Sequence, residues 1–205
     1  MIHTIDSPTN IYFRQGGLYG LVSHLGACDA IMKYRNKSFP FGRIYGVSAG
    51  GVYAVVFYLI WNNHITIDEV RDKMNRRFDN SDMVSFDIYG LTKDTLNDLS
   101  LHFPTDLYKQ LNGIVHSGVT TEPLTIYDEP TFQWISHFSS NDDIIQTIIA
   151  GTTIPFISSA KIRRTINGTG KLCIDGGFTC SDTYIPASTL VIRTLPNSHL
   201  PEIIR

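Results

Sequence analysis

Residues 43–61 read RIYGVSAGGVYAVVFYLIW, in which a serine separates a short apolar segment from a long one. Arg43–Val47 predicts a buried strand. The run Gly51–Trp61 predicts a buried helix, since it has about half of the ~20 residues that a membrane-spanning helix needs. Ser48 has a glycine two positions to either side and lies where the strand turns into the helix. This is the G-x-S-x-G nucleophile elbow in the context that the motif requires.

The two glycines of this motif have a steric reason. The turn from strand to helix is so sharp that side chains at their positions would collide. Ser48 is thereby presented at the start of a helix, where the helix dipole favours developing negative charge. Five small residues can also form a plain tight turn, but the apolar segments on both sides favour a catalytic nucleophile.

A serine nucleophile needs a base, and Asp175 is the first candidate. Lys161–Ile166 and Lys171–Ile174 predict a hairpin whose second strand runs into Asp175-Gly176-Gly177. A simple β-turn is the competing interpretation. The chain also offers Ser48, Asp175 and His199 in the order of an α/β-hydrolase triad. Against that triad, one strand–helix unit and a second strand are all that precede Ser48, and His199 lies in a polar tail.

A glycine loop precedes the elbow. Gln15-Gly16-Gly17-Leu18-Tyr19-Gly20 follows the predicted strand 11–13 and opens a predicted helix. Backbone amides in such a loop can converge on an anion, so Gly16, Gly17 and Leu18 are candidates for an oxyanion hole. A dinucleotide loop is disfavoured, because Gln15 replaces the first glycine of that fingerprint and no ribose-binding acid follows at the expected distance.

The order of predicted elements indicates an α/β domain. Strands and helices alternate from residue 11 onward, as in a βαβ layout with a parallel sheet. Thr66 and Glu69 form a capping-box pattern before a helix expected to cover the sheet, and Ser139-Ser140-Asn141 precedes a helix over Asp142–Ala150. Residues 80–104 show no clear period and predict a loop or short helices. We expect residues 1–205 to form a single domain.

Composition narrows the classes of function. The 205 residues include 17 basic and 19 acidic side chains, with a net charge of -2 and no long basic run, so nucleic-acid binding is disfavoured. Cys28, Cys173 and Cys180 lack the spacing of a metal site or a disulfide scaffold, which predicts reduced and mostly buried thiols. No cofactor or metal is expected. The first residues show no secretory signal pattern, which favours the cytoplasm.

The glycine loop, the elbow and the Asp-Gly-Gly sequence, in this order, resemble the motifs of the patatin-like phospholipase family. Residues 15–20 are similar to that family's G-G-G-x-[KR]-G loop, and residues 150–156, which contain Pro155, are similar to its proline-containing block. The resemblance covers about residues 11–195. Gln15 departs from the first glycine of the family loop, and Tyr19 from its basic residue.

This resemblance implies a three-layer α/β/α fold with a mainly parallel central sheet. It also implies a phospholipase A or lipid acyl hydrolase, in which Ser48 and Asp175 act as a dyad without histidine. Ser48 would attack a lipid ester, and the amides of Gly16, Gly17 or Leu18 would hold the oxyanion. The preference between phospholipid and neutral lipid stays open.

Two further expectations concern binding. The altered glycine loop keeps open a catalytically silent module that binds a lipid or a protein partner. If the chain meets lipid esters, peripheral membrane contact should come from apolar residues around the pocket mouth. Met83, Phe86, Ile88 and Tyr89 are the candidates for this contact, and a place in the core is the alternative for them.

Overall fold

Four parallel strands form the centre of the sheet in the computed structural model. The structure describes residues 10–34, 41–80, 88–121, 129–154, 164–165, 172–181, 184–194 and 203–204. The strands are β1 Asn10–Phe13, β2 Ile44–Val47, β3 Val115–Thr121, β4 Thr131–Ile135, β5 Arg164–Thr165, β6 Leu172–Asp175, β7 Thr189–Ile192 and β8 Ile203–Ile204. The helices are α1 Gly17–Tyr34, α2 Ala49–Trp61, α3 Ile67–Asn80, α4 Ile88–Ser100, α5 Leu107–Leu111 and α6 Asn141–Gly151.

The sheet is mixed rather than mainly parallel. Its strand order is β5-β6-β3-β2-β1-β7-β8, with β4 paired to β3. Strands β7, β1, β2 and β3 are parallel to one another, whereas β4, β5, β6 and β8 pair antiparallel. The predicted α/β class is confirmed, and the prediction of a mainly parallel sheet is wrong outside the centre. The added strands need no crossover helix, because antiparallel neighbours can be joined by short connections.

Strands β2 and β6 approach each other end to end along β3. Val47, the last residue of β2, is the register partner of Gly118. Asp175, the last residue of β6, is the partner of the next residue, Val119. Gly176 packs so closely on the backbone of Gly118 that a side chain there would collide with it. The residues that follow β2 and end β6 are therefore brought to one point beside β3.

The two faces of the sheet are covered differently. One face packs on a large core to which all six described helices contribute, including the buried Val52, Leu96 and Ile148. The other face carries a smaller cluster around Tyr12 and Tyr45, and no described helix contributes to it. A second helical layer is therefore not found within the described ranges. Cys28 and Cys173 are buried and Cys180 is half-buried, all three as free thiols, which confirms the prediction for the cysteines.

Both predicted helix caps are formed. The Thr66 amide donates to the Glu69 carboxylate at 2.8 Å, and the Glu69 amide donates to Thr66 Oγ1 at 3.2 Å, which is a complete capping box. Ser140 Oγ accepts a hydrogen bond from the Asp143 amide at the start of α6. Helix α3 makes its main contacts with α4 and α1, so the expectation that it covers the sheet is wrong.

Residues 80–104, for which the sequence predicted a loop or short helices, contain one regular helix, α4. In α4 the buried side chains are Thr92, Thr95, Leu96 and Leu99, at the spacing of one helix face. Two threonines on this face conceal its apolar period. Met83 and Phe86 lie outside the described residues, and of Ile88 and Tyr89 only the helical backbone is described.

Candidate active site

Ser48 lies on a strained turn between β2 and α2. Its φ of 57° and ψ of −128° place it in a backbone conformation that residues other than glycine rarely adopt. A methyl group on Gly46 would collide with the backbone of Gly50, and one on Gly50 would collide with the backbone of Phe13 and Arg14. The glycines of the motif thus allow close packing of the turn. Ser48 is the residue immediately before α2, so its side chain lies at the positive end of that helix.

Asp175 is fixed by hydrogen bonds to its backbone and to its carboxylate. Its amide donates to the Thr153 carbonyl at 2.9 Å, and its carbonyl accepts from Thr120 Oγ1 at 2.8 Å. The carboxylate oxygen Oδ1 accepts from the Gly177 amide at 2.6 Å. This last bond follows from the Asp-Gly-Gly sequence, because the turn after Asp175 brings that amide back to the side chain.

Burial raises the pKa of Asp175 from 3.8 to about 6, while the Ser48 hydroxyl and the Gly177 amide oppose the rise. The second carboxylate oxygen, Oδ2, is buried and has no partner at hydrogen-bond geometry within the described ranges. The Ser48 hydroxyl opposes the rise in the pKa and is thus a neighbour of the carboxyl group, but Oδ2 accepts no hydrogen bond from it. Catalytic hydrogen bonds are often long in the free protein and tighten when substrate binds.

The glycine loop between β1 and α1 lies against β7. Gly16 is packed so tightly on Thr194 that a larger residue would not fit, and Thr194 Oγ1 donates to the Gln15 carbonyl at 3.3 Å. Gly17 has a φ of 51° and begins α1. The amides at the start of a helix have no partner inside it, so those of Gly17 and Leu18 are available to an anion.

His24 supports this loop from the core. Its Nε2 lies 2.7 Å from the Arg14 carbonyl oxygen, and its ring packs edge-on against Phe13 and Tyr53. Desolvation lowers the pKa of His24 to about 4, so the imidazole is neutral near pH 7. A neutral ring that faces a carbonyl with Nε2 must carry its proton there, and it donates to Arg14.

One cavity of about 1150 Å³ brings the predicted residues together. Its lining comprises Arg14, Gln15, Gly16, Gly17, Tyr19, Val22, Ser23, Ser48, Ile154, Asp175, Gly177, Phe178, Arg193 and Thr194. Ser48 and Asp175 are both buried at this cavity. Of the three proposed oxyanion donors, Gly16 and Gly17 line it, whereas Leu18 is not among the lining residues.

The described lining contains no histidine. His24 is buried behind the glycine loop, and His116 stacks on Tyr45. His199, the third member of the alternative triad, lies outside the described residues. A Ser–Asp pair is thus the acid–base arrangement that the described residues present.

Sequence reasoning missed Arg14, Arg193 and Thr194 as members of the site. Arg14 follows β1, and Arg193 with Thr194 follows β7, its parallel neighbour. The signal was available, because ligands of α/β sheets bind beyond the carboxyl ends of parallel strands. Arg14 and Ser48 follow two predicted strands, so both could have been assigned to the carboxyl ends of the parallel strands.

Within the described ranges, no group of three or more His, Cys, Asp and Glu residues could hold a metal ion. None of the helices described is long and apolar enough to cross a membrane. The site offers a serine on a strained turn, a buried carboxyl with a raised pKa and the starts of two helices. This arrangement can support nucleophilic attack with a carboxylate base and amide stabilisation of an oxyanion.

No protein-family model matches this chain, and no curated protein sequence matches it to a significant degree. The resemblance to patatin-like phospholipases therefore stays a prediction that rests on the motifs.

Proposed function

We propose that the chain is a patatin-like serine acyl hydrolase that cleaves carboxylic esters of lipids in the cytoplasm. The observation that carries the proposal is the meeting of Ser48 and Asp175 in one cavity with the glycine loop. Each of the three has a separate chemical role in ester hydrolysis. A three-layer α/β/α arrangement is part of this proposal, and the helices on the large core would form one of its layers.

In the acylation step, Ser48 Oγ attacks the ester carbonyl carbon while the Asp175 carboxylate accepts the hydroxyl proton. The carbonyl oxygen becomes an oxyanion and is held by amides of the glycine loop, with Gly17 at the start of α1 as the main donor. A single donor of this kind contributes roughly 2.7–4 kcal/mol to the transition state. Collapse of the intermediate expels the alcohol, which takes the proton back from Asp175 and leaves an acyl-serine.

In the deacylation step, Asp175 accepts a proton from water, and the resulting hydroxide equivalent attacks the acyl-serine carbonyl. The same amides hold the second oxyanion. Its collapse releases the carboxylic acid, and the proton on Asp175 returns to Ser48 Oγ. Ester and water are thereby converted into acid and alcohol with both side chains regenerated.

The raised pKa of Asp175 supports its role as base. An aspartate at its usual pKa is a weak base toward an alcohol. A pKa of about 6 makes the group a stronger base while it remains ionised near neutral pH. Burial is the main cause of this raised pKa. The opposing effects of the Gly177 amide and the Ser48 hydroxyl offset it only in part.

The experiment that tests the proposal is labelling with a fluorophosphonate probe, which reacts with activated serines regardless of the natural substrate. Wild-type protein should be labelled, Ser48→Ala should not, and Asp175→Asn should be labelled far more slowly. Ser23→Ala is the matched control, because Ser23 lines the same cavity and lies on the exposed face of α1. Absence of labelling in folded wild-type protein would instead support a silent binding module.

A further inference from the structure

Exposed apolar side chains surround the cavity that contains Ser48. Tyr19 is 82% exposed, Val22 58% and Phe178 58%, and all three line that cavity. Tyr19 and Val22 lie on α1, whereas Phe178 belongs to the turn that follows Asp175. The apolar side chains thus come from two segments that are distant in sequence and lie at one opening. We call these three residues the rim.

The rim continues onto an uncharged part of α1. From Gly17 to Cys28 the helix has no Asp, Glu, Lys or Arg, although Val22, Ser23 and Gly26 in this part are exposed. Exposed helix faces normally carry charged or polar side chains. The first charged residues of α1 are Asp29 and Lys33, at the end away from the glycine loop.

Single exposed apolar residues are common and need no explanation. Tyr34 and Leu101 are of this kind, since they are 78% and 81% exposed and do not line the cavity. The rim differs because its members are grouped at the opening through which a substrate would reach Ser48. A grouped apolar surface of this kind indicates a binding site.

Resting on the proposed function, we infer that the rim is a docking surface for a phospholipid layer. A lipid ester resides in such a layer, so the opening above Ser48 must face it for the ester to enter. Tyrosine suits this position, because its ring favours the apolar zone while its hydroxyl stays in the polar zone of the interface.

The charges around the opening match the same occupant. Arg14 and Arg193 line the same cavity as the rim. Guanidinium groups suit phosphate, with which they form paired hydrogen bonds. Exposed apolar side chains and two arginines at one cavity are complementary to the acyl chains and phosphate groups of one phospholipid layer.

The rim is a different set of residues from the candidates expected from the sequence, Met83, Phe86, Ile88 and Tyr89, which stay untested because none of their side chains is described. The expectation placed membrane contact at the pocket mouth, with Met83 and Phe86 as candidates. Met83 and Phe86 are outside the described ranges. Among the described residues, the exposed apolar side chains of the pocket lining come from α1 and the turn after Asp175.

The test is vesicle binding by the Ser48→Ala protein, which removes catalysis from the measurement. Flotation with phosphatidylcholine vesicles should show binding that persists at high salt, because insertion of apolar side chains is not screened. In the Ser48→Ala protein, Tyr19→Ser and Phe178→Ser should each weaken the affinity for vesicles about tenfold, because each removes a large side chain that would insert into the lipid. Tyr34→Ser and Leu101→Ser are the matched controls and should bind as the Ser48→Ala protein does.

Val22→Ser serves as a second helix variant should Tyr19→Ser fold poorly by circular dichroism. Equal binding by rim and control variants would overturn the inference, as would the absence of vesicle binding. So would a concentration-dependent dimer that Tyr19→Ser abolishes, since a second copy of the chain would then occupy the rim. Probe labelling of wild-type Ser48 is scored separately, so the inference and the proposed function can fail independently.

Discussion

His24 Nε2 lies 2.7 Å from the Arg14 carbonyl oxygen, which fixes the beginning of the glycine loop to the first turns of α1. The histidine is fully buried and does not line the cavity. It is therefore a positioning residue, and its contribution to hydrolysis should pass through the loop amides.

We expect His24→Phe to lower kcat for a soluble ester about tenfold or more with little change in KM. The loop loses the hydrogen bond that holds Arg14, so its amides should stabilise the oxyanion of the transition state less well, while substrate binding is less affected. His24→Gln keeps a donor and should recover part of the loss. Steady-state kinetics on folded variants check this. Equal kcat values for the two variants would show that packing, and not the hydrogen bond, matters at this position.

Hydrolysis should depend on pH through the carboxyl group of Asp175. The base must be ionised, and burial raises its pKa to about 6. The value of kcat/KM should therefore fall about tenfold per pH unit below 6 and level off above it. A pH profile of kcat/KM with a soluble ester is the measurement. An acid limb centred near 4 would mean that the base is a carboxyl group with an ordinary pKa.

Asp175→Asn should abolish hydrolysis and yet stabilise the fold at alkaline pH. A carboxyl group whose pKa is raised on folding contributes stability that is complete below its unfolded pKa and is lost as pH rises through the folded value. The loss therefore falls between pH 3.8 and about 6. It corresponds to at most about 3 kcal/mol, which the asparagine should recover.

Thermal unfolding of both proteins at pH 8 and below pH 4 measures this difference. The variant should have the higher Tm at pH 8, and its advantage should shrink in acid. A lower Tm at pH 8 would indicate that the carboxylate, once formed, is stabilised by its surroundings.

Two glycines provide a matched pair for the elbow. Gly50→Ala should unfold the protein or destabilise it by several kcal/mol, because the added methyl group collides with the backbone of Phe13 and Arg14. Gly26 lies on the exposed face of α1 with open space around it. Gly26→Ala should therefore stabilise the helix by up to about 1 kcal/mol. Chemical denaturation checks both, and equal effects would contradict the packing described for the elbow.

His199→Ala separates the dyad from the triad. We expect activity within a few-fold of wild type, since a carboxylate base already lies beside Ser48. The variant should be compared with Asp175→Asn in the same assay. A folded but inactive His199→Ala protein would replace the dyad with the triad.

The elbow and the Asp-Gly-Gly turn could be located from the sequence because both depend on local geometry. A serine between glycines predicts a sharp turn, and aspartate before two glycines predicts a bond back to an amide. Ser48 and Gly177 show these two features in the structure.

Long-range pairing could not be read in the same way. Strand β4 was not predicted, although Phe132 and Trp134 alternate with Thr131 and Gln133 as in a strand. Its place beside β3 depends on register, which no local pattern gives. The sheet is mixed because β4, β5, β6 and β8 pair antiparallel. Helix α4 was concealed by threonines in its buried face.

Because β2 and β6 approach each other end to end along β3, their registers on β3 set the distance between Ser48 and Asp175. Each residue along a strand advances about 3.3 Å, and neighbouring side chains point to opposite faces. A slip of β6 by one residue would displace Asp175 by that distance and turn its carboxylate away from Ser48. One residue inserted within β6 should therefore abolish the proposed hydrolysis, whereas the same insertion in the segment that connects β5 to β6 should leave the distance between Ser48 and Asp175 unchanged.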